Sequence, residues 1–188
     1  MNEGFSGQPL TRWDNDNRKM ILEEEFFYID PGGKKWTAPK GSELNGATIP
    51  RQLWGIIGPP YVGKYRRASI VHDIHVGEGA NQDVSLEHRK AADRMFYQAC
   101  LSDGCSKKFA KMLYIGVRIG TWASKTKALN ERDLLTPEFV DTRTTSLEED
   151  EVTAKFWELV DSPTPQTKEL DSDIDFESLD KAIEDKFS

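Results

Sequence analysis

The stretch Arg66–Cys100, RRASIVHDIHVGEGANQDVSLEHRKAADRMFYQAC, constrains this chain more than any other. It reads as two helical runs joined by a short, polar, glycine-containing connection. Each run places an ionisable residue where a packing residue belongs. On the first, His72 shares a face with Tyr65, Ala68 and Val76, because residues four and seven apart stack on one side of a helix. On the second, Asp93 lies on a stripe with Leu86, Phe96 and Cys100. A carboxylate on an apolar stripe is costly unless it is paired. Helices joined by a short connection pack as antiparallel neighbours, so His72 is expected to meet Asp93 across their interface. A histidine oriented by a buried aspartate is the general-base half of many hydrolytic sites. The structural alternative is a buried histidine satisfied by an aspartate, holding two helices in register.

The flanking segments set the fold class. Residues Arg18–Ile29 read as one or two strands, since the aromatic run Phe26–Tyr28 suits a pleated surface. Asp30-Pro31-Gly32-Gly33 is a turn signal, and Lys34–Ala38 is the return strand of a hairpin. Ahead of it, residues 1–17 are mixed and polar, with Phe5, Leu10 and Trp13 as anchors. A short helix is expected through Leu53, Trp54, Ile56 and Ile57, with Thr48 as N-cap and Pro50 in its first turn. Three longer helices follow: Lys64 to about Val76, Leu86 to about Leu101 with Ser85 as N-cap, and Ser106 to about Thr121. Gly116 and Gly120 in the last permit close approach of a neighbour. The expected fold is α+β, an N-terminal β-hairpin region packed on a bundle of about three α-helices.

Charge separates a body from a tail. Of the 25 basic and 32 acidic residues, 4 basic and 14 acidic fall after Arg143, which makes the body +3 and the tail −10. Residues 1–143 are therefore expected to form a single domain, and residues 144–188 an acidic, largely flexible tail. The amphipathic segments around Phe156–Val160 and Phe176–Phe187 give that tail a surface for a protein partner. No apolar run is long enough to span a bilayer, and the N-terminus lacks a charged-then-apolar signal pattern. The default expectation is a cytoplasmic location in the producing cell, with phage association or non-classical export as the alternatives. Cys100 and Cys105 are too few for a disulfide framework, and too close for a bridge to add much stability.

FSGQPL, WTAPKGSELNGATIP, RRASIVHD, AADRMF and YIGVR together resemble the family known as domain of unknown function 1353, found in bacteria and their phages. That family usually has aspartate where this chain has Asn45. More locally, VHD…EHRKAADRMFYQAC resembles the catalytic helices of small prokaryotic phospholipases A2. The resemblance implies calcium-dependent ester hydrolysis, with His72 as the base, Asp93 as its orienting residue, and Asp73 and Asn45 near a calcium ion. Lipid or another ester is the implied substrate. Successive helical residues point about 100° apart, so Asp73 addresses a different neighbour from His72. The competing class is a non-enzymatic phage or bacterial accessory protein in which the pair is structural.

Other chemistries fit less well. No Gly-x-Ser-x-Gly elbow accompanies Ser69, which argues against a serine hydrolase. The phosphohydrolases named for a His-Asp pair need an earlier histidine, and His72 is the first in this chain. His72 and His75 lie one turn apart, but no third transition-metal ligand stands near them in sequence. Lys107, Lys108, Lys111 and Arg118 read as a solvated basic face, with contact to an anionic lipid surface as the alternative. No nucleic-acid motif accompanies them, so no nucleic-acid partner is expected.

Overall fold

Among the described residues, short antiparallel strands precede the helices. The structure is a computed structural model that describes residues 3–14, 20–44, 49, 53–57, 63–76, 84–126, 147–162 and 174–187. The chain divides into two units, Met1–Ala47 with Pro60–Ala110, and Thr48–Pro59 with Lys111–Ser188.

The first unit holds two three-stranded sheets and the helix pair. β1 (Gly4–Phe5), β4 (Phe26–Ile29) and β5 (Lys35–Ala38) form one sheet in the order β1-β4-β5. β2 (Thr11–Trp13), β3 (Met20–Leu22) and β6 (Glu43–Leu44) form the other in the order β2-β3-β6. All pairings are antiparallel. The hairpin turns where Asp30-Pro31-Gly32-Gly33 is read as a turn. The Gly33 N–H donates to Asp30 O at 2.9 Å, and the Asp30 N–H donates to Lys34 O at 3.0 Å. Gly33 adopts φ +82°, the left-handed residue that closes a three-residue hairpin loop. The Asp30 carboxylate reinforces the turn by accepting from Lys34 N–H at 2.9 Å and from Trp36 Nε1 at 2.8 Å. Tyr28 faces Trp36 across the strands, and both are buried. Of the three expected N-terminal anchors, Phe5 stacks on Phe26 at 5.7 Å. Leu10 and Trp13 are instead 55% and 50% exposed.

Helix α2 (Arg66–His75) packs on α3 (Leu86–Ser102) and against β4 and β5. The start of α3 follows local chemistry, since the Ser85 side chain accepts from His88 N–H at 3.2 Å. At its other end the Ser102 and Tyr28 hydroxyls lie 3.1 Å apart. Arg67 Nε also donates to Asp103 at 2.9 Å.

The second unit contains α1 (Trp54–Ile57), most of α4 (Lys107–Thr126), α5 (Leu147–Asp161) and α6 (Phe176–Phe187). Thr48 and Pro50, expected to start the short helix, lie outside the described residues. A Cβ on Gly116 would meet Ile57 Cδ1 at 2.9 Å, so its bare backbone is what lets Ile57 lie there. Two helices lie where a largely flexible tail is expected, and Phe156, Leu159, Leu179 and Ile183 on them are buried. The basic face also divides. Lys107 and Lys108 are exposed, whereas Lys111 and Arg118 are buried. Lys111 Nζ donates to the carbonyls of Val160 at 3.0 Å and Ser162 at 2.9 Å, a cation on the C-terminal carbonyls of α5. Arg118 Nε donates to Asp180 at 2.8 Å, and Tyr114 Oη donates to the same oxygen at 2.5 Å.

Candidate functional site

His72 and Asp93 stand on facing helices of the first unit, and the fold brings them into contact. His72 Nε2 lies 2.7 Å from Asp93 Oδ1, with both residues 0% exposed. A carboxylate accepts only, so Nε2 carries the proton and donates it to Asp93. In the neutral ring Nδ1 is then the nitrogen that bears the lone pair, and it has no hydrogen-bond partner among the described residues. The Phe96 ring lies 4.8 Å from the imidazole, centroid to centroid, and walls its face with hydrocarbon. The arrangement offers one oriented imidazole with a basic nitrogen turned away from its aspartate.

Asp73 is buried beside His72 on α2. Asn45 lies outside the described residues. Among the described residues, no group of three or more His, Cys, Asp or Glu is placed to hold a metal ion. Calcium takes six to eight oxygens, and Asp73 is the one proposed ligand that the described residues supply. They do not by themselves make a calcium site.

A second histidine cluster went unread in the sequence. His75 meets His88: its Nδ1 lies 3.3 Å from His88 Nε2. Trp36 meets the His75 ring edge-on at 5.1 Å and the His88 ring at 5.7 Å. Lys34 sits over Trp36 with its ammonium 3.5 Å from the ring centroid. The available signal was positional. His75 ends one helix and His88 lies in the first turn of the next, so the antiparallel pairing that joins His72 to Asp93 also brings these rings together.

Burial pushes the His75 pKa from 6.5 down to about 4, helped by His88 and Lys34 and opposed by the Thr37 backbone. The unfolded chain therefore binds a proton on His75 that the native protein resists. This contribution to stability is complete above pH 6.5 and is lost as pH falls toward 4. The ring is only half-buried, so solvent screening cuts the full linkage value to about 1–2 kcal/mol. Urea unfolding of the parent is expected to show that loss between neutral pH and pH 4, and His75→Gln is expected to reduce it. Equal acid sensitivity in the two proteins would assign the effect elsewhere.

Among the described residues no helix is long and apolar enough to cross a membrane. No solved structure matches the chain. It is 34% identical over 131 residues to "Uncharacterized protein y4jT" of Sinorhizobium fredii (strain NBRC 101917 / NGR234), covering 68% of this chain and 37% of that protein. A second protein of the same strain, "Uncharacterized protein y4iH", is 31% identical over 102 residues, covering 54% of this chain and 40% of its own. The chain thus spans well under half the length of these curated relatives. Residues 20–117 match the family described as "Protein of unknown function (DUF1353)", a span that contains both α2 and α3. With just over half of its length inside that match, the chain belongs to the DUF1353 family.

Proposed function

We propose that this protein is an ester hydrolase of the phospholipase A2 kind, in which His72 activates a water and Asp93 orients His72. The observation that carries this reading is the 2.7 Å His72 Nε2–Asp93 Oδ1 contact, with Nδ1 left without a hydrogen bond among the described residues. Nδ1 takes a proton from water as its oxygen attacks the ester carbonyl. Asp93 holds the ring in the productive tautomer and stabilises the imidazolium that forms. Nδ1 then returns the proton to the leaving alkoxide. Phospholipid is the substrate class that the sequence resemblance favours. The test is hydrolysis of phospholipid vesicles and of a soluble short-chain ester by the purified protein, with calcium or with chelator. Release of fatty acid, lost in His72→Gln, is expected. No turnover of either substrate would sink the reading.

Calcium belongs to this proposal through the resemblance, which assigns it to Asp73 and the Asn45 loop; bound there, it would polarise the ester carbonyl. With Asn45 in place of a carboxylate, binding is expected to be weak, roughly millimolar, because calcium affinity falls with ligand charge. Calorimetric titration should show tighter binding in Asn45→Asp and none in Asp73→Asn. A parent and an Asn45→Asp variant that both fail to bind would remove calcium from the mechanism.

A second reading draws on the complete burial of both His72 and Asp93. A pair with no exposure suits a clasp between α2 and α3 in a non-enzymatic bacterial or phage accessory protein. Its partner would be another protein, met through the acidic C-terminal segment.

A further inference from the structure

The C-terminus of α3 brings two thiols together through backbone geometry. Gly104, at φ +84°, is the left-handed residue that ends the helix. Its N–H donates to Leu101 O at 2.9 Å, and the Cys105 N–H donates to Cys100 O at 3.0 Å. These are the two bonds of a Schellman motif, which folds the residue after the glycine back over the last helical turn. The side chains at those two positions commonly touch as an apolar pair. Here both are cysteine.

We propose that Cys100 and Cys105 form a reversible thiol–disulfide pair oxidised by a peroxide, with Cys105 as the attacking thiol and Cys100 as the resolving one. Both are free and buried; Cys100 is 0% exposed and Cys105 is 8% exposed, so Cys105 is the one an oxidant reaches first. The thiols interact side chain to side chain. That contact is the main cause lowering the Cys105 pKa, and Lys64 adds to it, against burial and Asp103. Cys100 is held up by burial first and by the same contact. Lys64 Nζ also donates to Gly104 O at 3.3 Å, which keeps a cation at the turn. A thiolate is the nucleophile in such chemistry, so the attacking and resolving roles follow from the asymmetry of the two sites.

The step balances with one peroxide. The Cys105 thiolate attacks a peroxide oxygen and breaks the O–O bond; hydroxide leaves and takes a proton to become water, and Cys105 becomes a sulfenic acid. Cys100 sulfur then attacks Cys105 sulfur, and the second oxygen leaves as water. Two thiols are oxidised by two electrons, and peroxide is reduced to two waters. The Tyr28–Ser102 and Arg67–Asp103 contacts anchor the backbone on either side of this turn. The ring the bond would close is too small to add much stability. The bond is therefore a modification of the native protein and not a staple its fold requires.

The test treats the reduced, full-length protein with one equivalent of hydrogen peroxide. The expected product is a monomer lighter by two hydrogens, with both thiols gone, a cross-linked Cys100–Cys105 peptide, and full reversal by dithiothreitol. Cys105→Ser should leave the Cys100 thiol unreacted. Cys100→Ala should gain oxygen on Cys105 and lose no hydrogens. The Cys105 variant changes a turn position and keeps the test decidable should the core variant fail to fold. Retention of both thiols in the parent, oxygen uptake on Cys105 without cross-linking, or a dimer joined through Cys105 would each overturn the proposal.

Discussion

Replacing His72 by alanine is expected to destabilise the fold by about 3–5 kcal/mol and to abolish any hydrolysis. The first effect follows from burial, since Asp93 is 0% exposed and would lose its histidine partner. Removing the donor of a buried hydrogen bond to a carboxylate costs this much because the carboxylate cannot regain water in its place. The Phe96 ring would also lose the imidazole it packs on at 4.8 Å. Asp93→Asn is the more informative change. The amide oxygen can still accept from His72 Nε2–H, so the stability loss should stay below about 2 kcal/mol. The amide cannot stabilise an imidazolium, and hydrolysis should fall roughly 10²–10⁴-fold. Urea unfolding and ester turnover, measured on the same samples, separate the readings. A folded but slow Asp93→Asn protein supports the base. Variants that change only stability, in a parent without turnover, make the pair a clasp.

Asp180→Ala is expected to cost about 3–5 kcal/mol in the second unit. The Asp180 carboxylate accepts from both Arg118 Nε and Tyr114 Oη, and Arg118 is 2% exposed. Without Asp180 the guanidinium loses the carboxylate on its Nε in a place water barely reaches, and Glu184, 4.0 Å from its terminal nitrogen, is a looser and more exposed substitute. Asp180→Asn keeps an acceptor and should cost less, about 1–3 kcal/mol. Truncation after Arg143 removes Asp180 together with the buried Phe156, Leu159 and Ile183, and should destabilise the unit further. Thermal unfolding decides the matter. Parent-like melting of Asp180→Ala would mean that α6 is not part of the cooperative fold.

The parts of this protein legible in sequence are those dictated by local chemistry or by period. Ser85 caps α3 because its hydroxyl reaches a backbone N–H three residues on. The hairpin turns at Asp30–Gly33 because a glycine can take the left-handed conformation that closes the loop. His72 and Asp93 were paired from helical period and a short connection alone, since antiparallel helices leave few registers. The short strands β1 and β2 were not legible. Strands of two and three residues carry no period, and their pairing with β4 and β3 defines them.

The basic residues of α4 show where sequence reading stops. Period places Lys107, Lys108, Lys111 and Arg118 near one helix, and a lysine or arginine on a helix is usually solvated. Which of them is buried depends on what comes to cover it. Lys111 and Arg118 are buried because the carbonyl end of α5 and the carboxylate of Asp180 meet them from 49 to 62 positions away along the chain. The acidic composition of residues 144–188 marked a charge contrast with the body, and composition has no term for a carboxylate folded back onto a buried guanidinium. The sequence by itself determined the strands-then-helices order, the hairpin turn, the α3 cap and the helix faces bearing His72 and Asp93. Tertiary structure decided which charges are buried and which rings and thiols touch, because burial is a property of two surfaces and each stretch of sequence describes only one.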